Sequence, residues 1–330
     1  MDRILLLFRK KDPKFYSIEK VFGAIAPSLE ATYKVTEHRL SRFSNGLWSI
    51  FRNIAEVYRL NADVVHVTGD VHYAILGCGS KRAILTIHDC NFLKNNTGFK
   101  RWVLKKLYLE LPAQRADIVT TISPKSCAEI AAALNWDKNK IRVIPNPVPP
   151  EFRFVDKPFY KADPVVLFIG TTPNKNLERS IPALRGLNIR LYILGSPSLT
   201  QQQLMQEHHI RFTSYEGLTD LQVAELYQTA DLVLYPSLYE GFGMPVIEAQ
   251  RSGRILVTSN IEPMVSVSGG GAFFVDPYDP DSIRKGVLNA IGDEESRKEH
   301  ITNGFENVKQ YSLETITARY LALYKEVLEK

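Results

Sequence analysis

The chain is poor in cysteine and has no long apolar run. Its 330 residues contain three cysteines, Cys78, Cys90 and Cys127, an odd number without CxxC spacing. This argues against a disulfide-stapled fold and a zinc site, and predicts reduced thiols in a cytoplasmic protein. No apolar stretch approaches the roughly 18 residues that cross a bilayer, and residues 4–8 are too few for the core of a signal peptide. We therefore expect no membrane span.

Several ligand-binding signals are missing as well. No G-x-G-x-x-G follows the apolar run at residues 4–8, which argues against a nicotinamide dehydrogenase. No DxD-like carboxylate pair follows a predicted strand, so we expect metal-independent chemistry and no cofactor. Recognition motifs for nucleic acid are absent, and the basic residues are not interleaved with aromatic ones, so nucleic acid is not an expected partner.

Basic charge is plentiful, but only in the first half. Residues 1–150 contain 23 Lys+Arg and 13 Asp+Glu, a net charge of +10, whereas residues 151–330 contain 18 and 23, a net charge of −5. Two interpretations remain open. The basic half attracts an anionic acceptor or an anionic membrane surface, or the charge serves only solubility.

Short apolar runs alternate with amphipathic stretches throughout the chain. The alternation predicts an α/β protein with two doubly wound, Rossmann-like domains. Prolines at 145, 147, 149 and 150 and a polar stretch after them predict a linker, which gives one domain over residues 1–150 and a second over 151–310, followed by a helix within 311–330. Predicted strands are residues 4–8, 64–67, 83–87, 118–122, 141–144, 165–169, 191–194, 210–212, 232–235, 255–257 and 272–275. Predicted helices include residues 47–60, 126–134, 176–184, 221–230, 245–252, 280–291 and 313–328.

The most informative stretch is residues 230–250. The apolar residues 232–235 predict a buried parallel strand, and Gly241 and Gly243 allow the next loop to approach a ligand closely. Pro245 is predicted to be the first residue of a helix, whose free N–H groups and dipole suit an anion. Glu240 and Glu248 bracket this junction, where a carboxylate can accept hydrogen bonds from sugar hydroxyls. The alternative is an ordinary strand–loop–helix turn with two solvated acids.

Residues 240–249, Glu-Gly-Phe-Gly-Met-Pro-Val-Ile-Glu-Ala, resemble the Glu-x7-Glu signature of the retaining GT-B glycosyltransferases of family 4. The resemblance implies that Glu240 contacts the donor sugar and Glu248 the ribose hydroxyls. It also implies a GT-B fold, in which an acceptor domain and a donor domain face each other across a cleft and the last helix crosses back to the first domain. The backbone that would reach the sugar and the diphosphate belongs to Gly241, Phe242, Gly243 and Met244.

Two further segments resemble donor-site elements of that family. Gly170-Thr171-Thr172-Pro173-Asn174-Lys175 follows a predicted strand, and Lys175 would bind the diphosphate as a point charge. Many family members carry Arg where Thr171 stands, so a second cation is missing there or comes from elsewhere. Around Gly217 and Leu218, backbone amides would pair with the nucleotide base. For Lys175 the alternative is an exposed lysine near a helix start, and residues 219–220 also suit a helix N-cap.

In the first half, His88 follows the strand predicted at 83–87 and resembles the family's cleft histidine, which lies near the reaction centre. The alternative is a structural histidine at a strand end. The family's Gly-rich loop after the first strand is absent, and this chain has Phe8-Arg9-Lys10-Lys11-Asp12-Pro13 instead. Its basic side chains either substitute for backbone amides or serve the acceptor.

The resemblance implies a retaining transfer from a UDP- or GDP-sugar to a glycan or lipid-linked saccharide, with Glu240, His88 and Lys175 as catalytic residues. Alternatives are a nucleotide-sugar epimerase or hydrolase of the same fold and a catalytically inactive sugar-nucleotide-binding protein. We expect a cytoplasmic enzyme.

Residues 100–111 place Val103, Leu104, Leu107 and Leu111 on one helical face, with basic residues off it. This pattern suits either a helix resting on the inner face of an anionic membrane or a helix packed on the core.

Overall fold

Apolar strands followed by helices build two parallel six-stranded sheets in this computed structural model, which describes residues 1–12, 17–94 and 96–330. Pro13 of the basic loop lies outside the described residues. The chain divides into two compact units. Unit 1 comprises Met1–Pro147 and Leu313–Lys330, and unit 2 comprises Val148–Ser312.

Unit 1 has a parallel sheet of strand order β2-β1-β3-β4-β5-β6. Its strands are β1 (Arg3–Phe8), β2 (Lys34–Arg39), β3 (Val64–Val67), β4 (Arg82–Ile87), β5 (Ile118–Thr121) and β6 (Ile141–Val143). Its helices are α1 (Ser17–Leu29), α2 (Leu47–Tyr58), α3 (Asn91–Lys94), α4 (Gly98–Lys105), α5 (Leu111–Arg115), α6 (Pro124–Leu134) and α14 (Leu313–Leu328), with 3-10 turns at His72–Cys78 and Lys138–Lys140.

Both faces of this sheet are buried, which explains why its strands are continuous apolar runs. In β1, Leu5 and Leu7 face a core that also contains buried residues of α2, of the His72–Cys78 segment and of α6. Ile4, Leu6 and Phe8 face the opposite core, which is covered by α1 and α14. One strand therefore contributes to two cores by the period-two alternation of its side chains.

The C-terminal helix α14 is anchored in unit 1 by a buried histidine. His66 of β3 is fully buried, and its Nδ1 lies 2.7 Å from the hydroxyl of Tyr324 while its Nε2 lies 2.7 Å from Oγ1 of Thr86. Burial lowers the pKa of His66 to about 3, so the ring is neutral at pH 7. His66 therefore links the last helix to the sheet.

Unit 2 repeats the architecture with strand order β12-β11-β10-β7-β8-β9. Its strands are β7 (Val165–Ile169), β8 (Arg190–Leu194), β9 (Phe212–Tyr215), β10 (Leu232–Tyr235), β11 (Ile255–Ser259) and β12 (Phe273–Val275). Its helices are α7 (Leu177–Leu184), α8 (Leu199–Glu207), α9 (Asp220–Thr229), α10 (Met244–Arg251), α11 (Met264–Ser268), α12 (Pro280–Gly292) and α13 (Glu294–Val308), with 3-10 turns at Pro173–Lys175 and Lys309–Tyr311.

The predicted strands agree with the structure within a few residues, with two exceptions at sheet edges. The strand predicted at 210–212 is wrong, because β9 runs over Phe212–Tyr215, and β2 is not predicted at all. Both are edge strands with several exposed residues, so neither shows a continuous apolar run. The apolar pattern of the sequence also does not predict α1, α3, α8, α11 and α13.

Residues 100–111 are helical, as predicted, but they do not form one uninterrupted α-helix. Pro112 has no N–H to donate to the carbonyl of Tyr108 four residues earlier. That carbonyl accepts instead from Nδ1 of His72, 2.7 Å away, and one π-helical turn, Lys106–Glu110, separates α4 from α5. Leu107 and Tyr108 pack against the core, so this part of the expected apolar face points into unit 1.

No helix within residues 1–12, 17–94 and 96–330 has the length and apolar character needed to cross a membrane. The three cysteines are free and buried. Burial raises the pKa of the Cys78 and Cys90 thiols to about 12, so both are neutral and unreactive at physiological pH.

Substitution of Gly77 tests how closely α2 packs on the His72–Cys78 segment. A Cβ at Gly77 would lie 2.2 Å from the backbone oxygen of Ile54, whereas a Cβ at Gly23, inside α1, meets nothing within 4 Å. We expect Gly77→Ala to lower the free energy of unfolding by about 1–3 kcal/mol through overpacking. Gly23→Ala should raise it by about 0.5–1 kcal/mol. Urea unfolding of both variants measures this, and equal effects would contradict the packing.

The buried His66 predicts a pH dependence of stability. The unfolded chain takes up a proton on this ring near pH 6.5, but the folded chain does so only near pH 3. The free energy of unfolding should therefore decrease as pH falls below about 6.5, with His66 contributing a slope of about 1.4 kcal/mol per pH unit.

Urea unfolding between pH 7.5 and 4.5 should show a smaller slope for His66→Gln than for the wild type. Substituting the exposed His209 by Asn is the control and should leave the slope unchanged. An unaltered slope in His66→Gln would contradict the buried neutral ring.

Candidate active site

The candidate site of unit 2 lies where the strand order of its sheet reverses. Strands β7 and β10 are neighbours in the sheet although about 60 residues separate them in the chain. Gly170 and Lys175 follow β7, and Glu240 follows β10. In doubly wound sheets the carboxyl ends of the two strands at this switch point form the ligand-binding crevice.

An ion pair joins the two loops. Nζ of Lys175 donates to Oε1 of Glu240 at 2.6 Å and to the hydroxyl of Tyr235 at 2.9 Å. The same carboxylate oxygen accepts from Oγ of Ser237 at 2.6 Å and from Nδ2 of Asn174 at 3.3 Å. Only 20% of the Lys175 side chain and 15% of the Glu240 side chain are exposed. The pair is thus held in one geometry by neighbours from both loops.

A glycine makes room for this lysine. Gly170 has φ +83°, and a Cβ there would lie 2.9 Å from Cγ of Lys175. The next residue, Thr171, donates from its hydroxyl to the carbonyl of Ser196 at 2.9 Å, which ties the β7 loop to the loop after β8. Gly170 therefore matters for the path of the lysine, and Thr171 for the position of the loop.

Glu248 lies in α10, the helix that follows the glycine loop. Its Oε2 accepts a 2.6 Å hydrogen bond from the hydroxyl of the buried Tyr227 of α9. The helix begins at Met244, with Gly243 at its N-cap in the left-handed region at φ +94°. Pro245 is therefore the second helical residue, one position later than predicted. A side-chain cap hydrogen bond is absent at this N-terminus.

Not every predicted donor residue can act through its side chain. Phe242 is 4% exposed, and its ring lies 5.7 Å from that of Tyr311 inside unit 2, so only its backbone fits the predicted role. Gly217 and Leu218 follow β9, two strands beyond β7 and hence about 10 Å across the sheet. Thr219 caps α9 in a capping box, as its residue type predicts.

Two buried tyrosines in this site were not predicted. Burial and the neighbouring Glu240 raise the pKa of Tyr235 well above its ordinary value, and burial together with Glu248 does the same for Tyr227. Both phenols are neutral and available as hydrogen-bond partners. In the sequence these two tyrosines look like ordinary core residues, because their carboxylate and lysine partners come from other elements.

Asn176 is a further residue that sequence reasoning missed. It is buried at φ +68°, and its Nδ2 donates to the carbonyls of Pro236 at 3.1 Å and Pro277 at 2.6 Å. One amide thus fastens the loop after β7 to the loops after β10 and β12. This cross-link holds the carboxyl edge of the sheet in place around Lys175 and Glu240.

His88 lies at the carboxyl end of β4 in unit 1. Its Nε2 is 2.8 Å from the carbonyl of Thr68, which can only accept, so Nε2 carries the proton of the neutral ring. Burial lowers the pKa of His88. A Cβ at Gly69 would lie 2.8 Å from the imidazole, so a glycine is needed beside it.

The basic loop after β1 is bound by carboxylates. The guanidinium of Arg9 pairs with Glu19 of α1, at 3.2 Å from Nε to Oε1, and also with Asp70 after β3. Asp70 itself is a non-glycine residue in the left-handed region, at φ +54°. Arg9 therefore organises the carboxyl edge of unit 1 through two acidic partners.

Metal ligands do not cluster in the described part of the chain. Within residues 1–12, 17–94 and 96–330 there is no group of three or more His, Cys, Asp or Glu side chains placed to hold a metal ion.

Solved structures establish the class of fold. The chain superposes on sucrose-phosphate synthase from Thermosynechococcus elongatus with a TM-score of 0.78 at 17% identity, covering 100% of both chains. It also superposes on HepE of Anabaena, solved in complex with UDP and glucose, with a TM-score of 0.72 at 15% identity, covering 99% of this chain and 100% of that one. With its two doubly wound parallel sheets, the protein has the GT-B fold.

Two family models then place it within that class. The model described as Glycosyl transferases group 1 matches residues 151–307, and that of Glycosyltransferase Family 4 matches residues 12–152. The chain belongs to family 4 of the glycosyltransferases.

A curated relative is the O-antigen chain mannosyltransferase B of Escherichia coli, which is 27% identical over 274 residues, 74% of this chain and 70% of that protein. Across the first three curated relatives, the matched stretches span between 37% and 70% of their own lengths.

The Lys175–Glu240 pair can be tested without any ligand. A double-mutant cycle with Lys175→Met and Glu240→Gln should give a coupling free energy of about 0.5–3 kcal/mol in urea unfolding, because both groups share partners in a largely buried site. The exposed Lys298–Glu294 pair, with 75% and 68% side-chain exposure, is the matched control. Its coupling should be smaller, since solvent screens it. Equal couplings would contradict a preorganised pair.

Proposed function

We propose that the protein transfers a hexosyl residue from a nucleoside-diphosphate sugar to a glycan or lipid-linked saccharide, with retention at the anomeric carbon and without a metal ion. The observation that carries this proposal is the Lys175–Glu240 pair at the switch point of the unit 2 sheet. A cation that neutralises phosphate and a carboxylate that accepts from hydroxyls stand 2.6 Å apart there. A sugar diphosphate presents the two matching groups, phosphate and hydroxyls, side by side.

The donor would lie along the carboxyl edge of the unit 2 sheet. Lys175 and the N-terminus of α10 suit the diphosphate, since a helix N-terminus and an ammonium both attract anions. Glu248, already oriented by Tyr227, suits the ribose hydroxyls. Glu240 suits the hydroxyls of the transferred sugar. The backbone near Gly217 and Leu218 would meet the base.

The reaction proceeds through positive charge on the sugar ring and growing negative charge on the leaving diphosphate. Lys175 and the positive end of the α10 helix would stabilise the leaving group, and preorganised groups of this kind contribute about 100- to 1000-fold each in other enzymes. The leaving phosphate would take the proton of the acceptor hydroxyl. His88 would act near the reaction centre as an orienting group, because its Nε2–H already donates a hydrogen bond to the carbonyl of Thr68.

The relatives guide the choice of substrates. The E. coli relative is named as a mannosyltransferase of the O-antigen chain, which supports mannose as the sugar and a surface polysaccharide as the acceptor. The HepE structure holds UDP, which supports a nucleoside-diphosphate donor. We therefore propose a UDP- or GDP-sugar donor, mannose as the transferred sugar, and an enzyme that works in the cytoplasm at the inner face of a membrane.

A donor-binding and turnover experiment tests the proposal. Thermal shift against UDP, GDP, ADP and their sugar conjugates should stabilise the wild type with one base. Turnover with that donor and a glycan acceptor should fall about 100-fold or more in Lys175→Met and in Glu240→Gln, because each removes a group that contacts the donor. A chelator should leave turnover unchanged.

Lys285→Met and Glu299→Gln remove one exposed cation and one exposed anion from the same unit and serve as matched controls, which should retain activity. An epimerised or hydrolysed sugar formed without any acceptor would contradict the transferase. Full function of Glu240→Gln in cells without donor turnover would instead support a sugar-nucleotide-binding protein.

A further inference from the structure

Helix α2 of unit 1 exposes large apolar side chains that the fold does not use. Leu47, Trp48 and Phe51 are 64%, 67% and 64% exposed, whereas Ile50 and Val57 of the same helix are buried in the core. The helix is therefore amphipathic in the usual way, but its outer face also carries an aliphatic and two aromatic residues. Exposed apolar residues clustered on one helix mark an interaction surface more often than scattered ones do.

Basic groups lie among these side chains. The guanidinium of Arg52 stands 4.8 Å from the ring centre of Trp48, and Nζ of Lys10 stands 4.7 Å from that of Phe43. Between residues 40 and 55 the sequence contains two arginines and no acidic residue. The surface therefore combines apolar rings with positive charge, and the acidic residue of α2, Glu56, lies towards the far end of the helix, where it accepts from Ser41.

A basic depression lies beside the start of α2. It has a volume of about 420 Å³ and is lined by Lys10, Ser41, Arg42, Phe43, Asn45 and Ser49. Lys10 follows β1, and the other residues follow β2, its neighbour in the sheet, so the depression is at the carboxyl edge of unit 1. Oγ of Ser41 already donates to Oε2 of Glu56 at 2.6 Å, so the groups that suit a phosphate are the cations of Lys10 and Arg42 with Asn45 and Ser49 beside them.

Helix α4 carries a second exposed aromatic pair. Phe99 and Trp102 are 79% and 56% exposed, and their rings stack with centroids 5.7 Å apart. Residues 90–109 include five Lys or Arg. Lys94 pairs with Glu129, and Lys105 and Lys106 pair with Glu110, so the exposed cations that accompany the two rings are Lys100 and Arg101. The apolar residues that project from this helix are thus not those of the face expected from the sequence.

The two helices belong to the same face of the unit 1 sheet. The hydroxyl of Tyr73 lies 2.9 Å from Oγ of Ser44, just before α2, and its ring lies 5.2 Å from that of Tyr108, one turn after α4. Residues of α2, of the His72–Cys78 segment and of the Lys106–Glu110 turn share one core. The exposed rings of α2 and α4 therefore flank one common segment.

We infer that α2, with the basic depression beside it and α4 as a second contact, binds the surface of an anionic lipid bilayer. Trp48 and Phe51 enter the boundary between headgroups and acyl chains, and Lys10 and Arg42 bind lipid phosphate. An amphipathic helix with aromatic residues and basic side chains has this behaviour. A bilayer is favoured over a protein partner because the positive charge accompanies both aromatic pairs and complements an anionic lipid surface. The inference extends the proposed function, since a lipid-linked acceptor would be met at this edge.

Vesicle sedimentation of the full chain tests the inference. We expect binding to vesicles of phosphatidylglycerol and phosphatidylcholine but not to phosphatidylcholine alone, with weaker binding at high salt. The double variant Trp48→Ser/Phe51→Ser should lower the partition coefficient at least tenfold. Arg42→Gln should lower it about fivefold, which corresponds to about 1 kcal/mol for one basic side chain near the surface.

Two exposed residues of unit 2 provide matched controls. Tyr160→Ser removes a 57% exposed aromatic ring and Lys285→Gln an exposed cation, and neither should alter sedimentation. Thermal unfolding checks that each variant is folded. The inference is overturned if the wild type binds neither kind of vesicle or both equally, or if the α2 variants bind like the controls.

Nucleotide-dependent thermal shift of the same samples separates this inference from the proposed function. A protein that binds a nucleoside diphosphate but no vesicles contradicts only the membrane surface. A protein that binds vesicles but no nucleotide contradicts only the donor site.

Discussion

The ion pair between Lys175 and Glu240 is the interaction on which the unit 2 site depends. It links the loop after β7 to the loop after β10 at 2.6 Å, and Ser237, Asn174 and Tyr235 add hydrogen bonds to the same two groups. On an open surface, a lysine and a carboxylate would each be solvated and mobile. Held by neighbours in a largely buried edge, they form a preorganised cation and acceptor, which is the form in which charged groups contribute most to catalysis.

The fold supplies this geometry through a few backbone constraints. Parallel strands bring the ends of β7 and β10 side by side, although the chain visits β8 and β9 between them. Gly170 at φ +83° lets the lysine stem pass, and Gly243 at φ +94° starts α10. Asn176 fastens three loops with one amide. In unit 1, Gly69 and the Arg9 ion pairs act in the same way around His88.

Much of the fold follows from the sequence, and the exceptions share a physical cause. Strands buried on both faces show as apolar runs, and those runs predict β3, β7 and β10 without error in their bounds. The missed strand β2 and the misplaced β9 are edge strands whose exposed residues hide that signal. The helix expected at 100–111 contains a π-helical turn just before Pro112, and the carbonyl of Tyr108, which Pro112 cannot serve as a donor, accepts from the distant His72.

The residues of the candidate site also fall into those that the sequence predicts and those that it does not. Glu240, Glu248 and Lys175 stand out by spacing and by their place after predicted strands. The sequence does not single out Tyr235, Tyr227 and Asn176. Their hydrogen-bond partners lie between 21 and 101 residues away, and the order of the strands decides which residues come into contact. The sequence shows the type of each residue, but a hydrogen bond across the edge of a sheet can be predicted only when the order of the strands is known.

The most direct test is a crystal structure of the protein with a bound nucleoside diphosphate sugar. We expect a diphosphate oxygen about 3 Å from Nζ of Lys175 and next to the N-terminus of α10, with the ribose on Glu248 and the sugar on Glu240. A diphosphate bound away from the ends of β7 and β10, with Lys175 still paired to Glu240, would contradict this expectation.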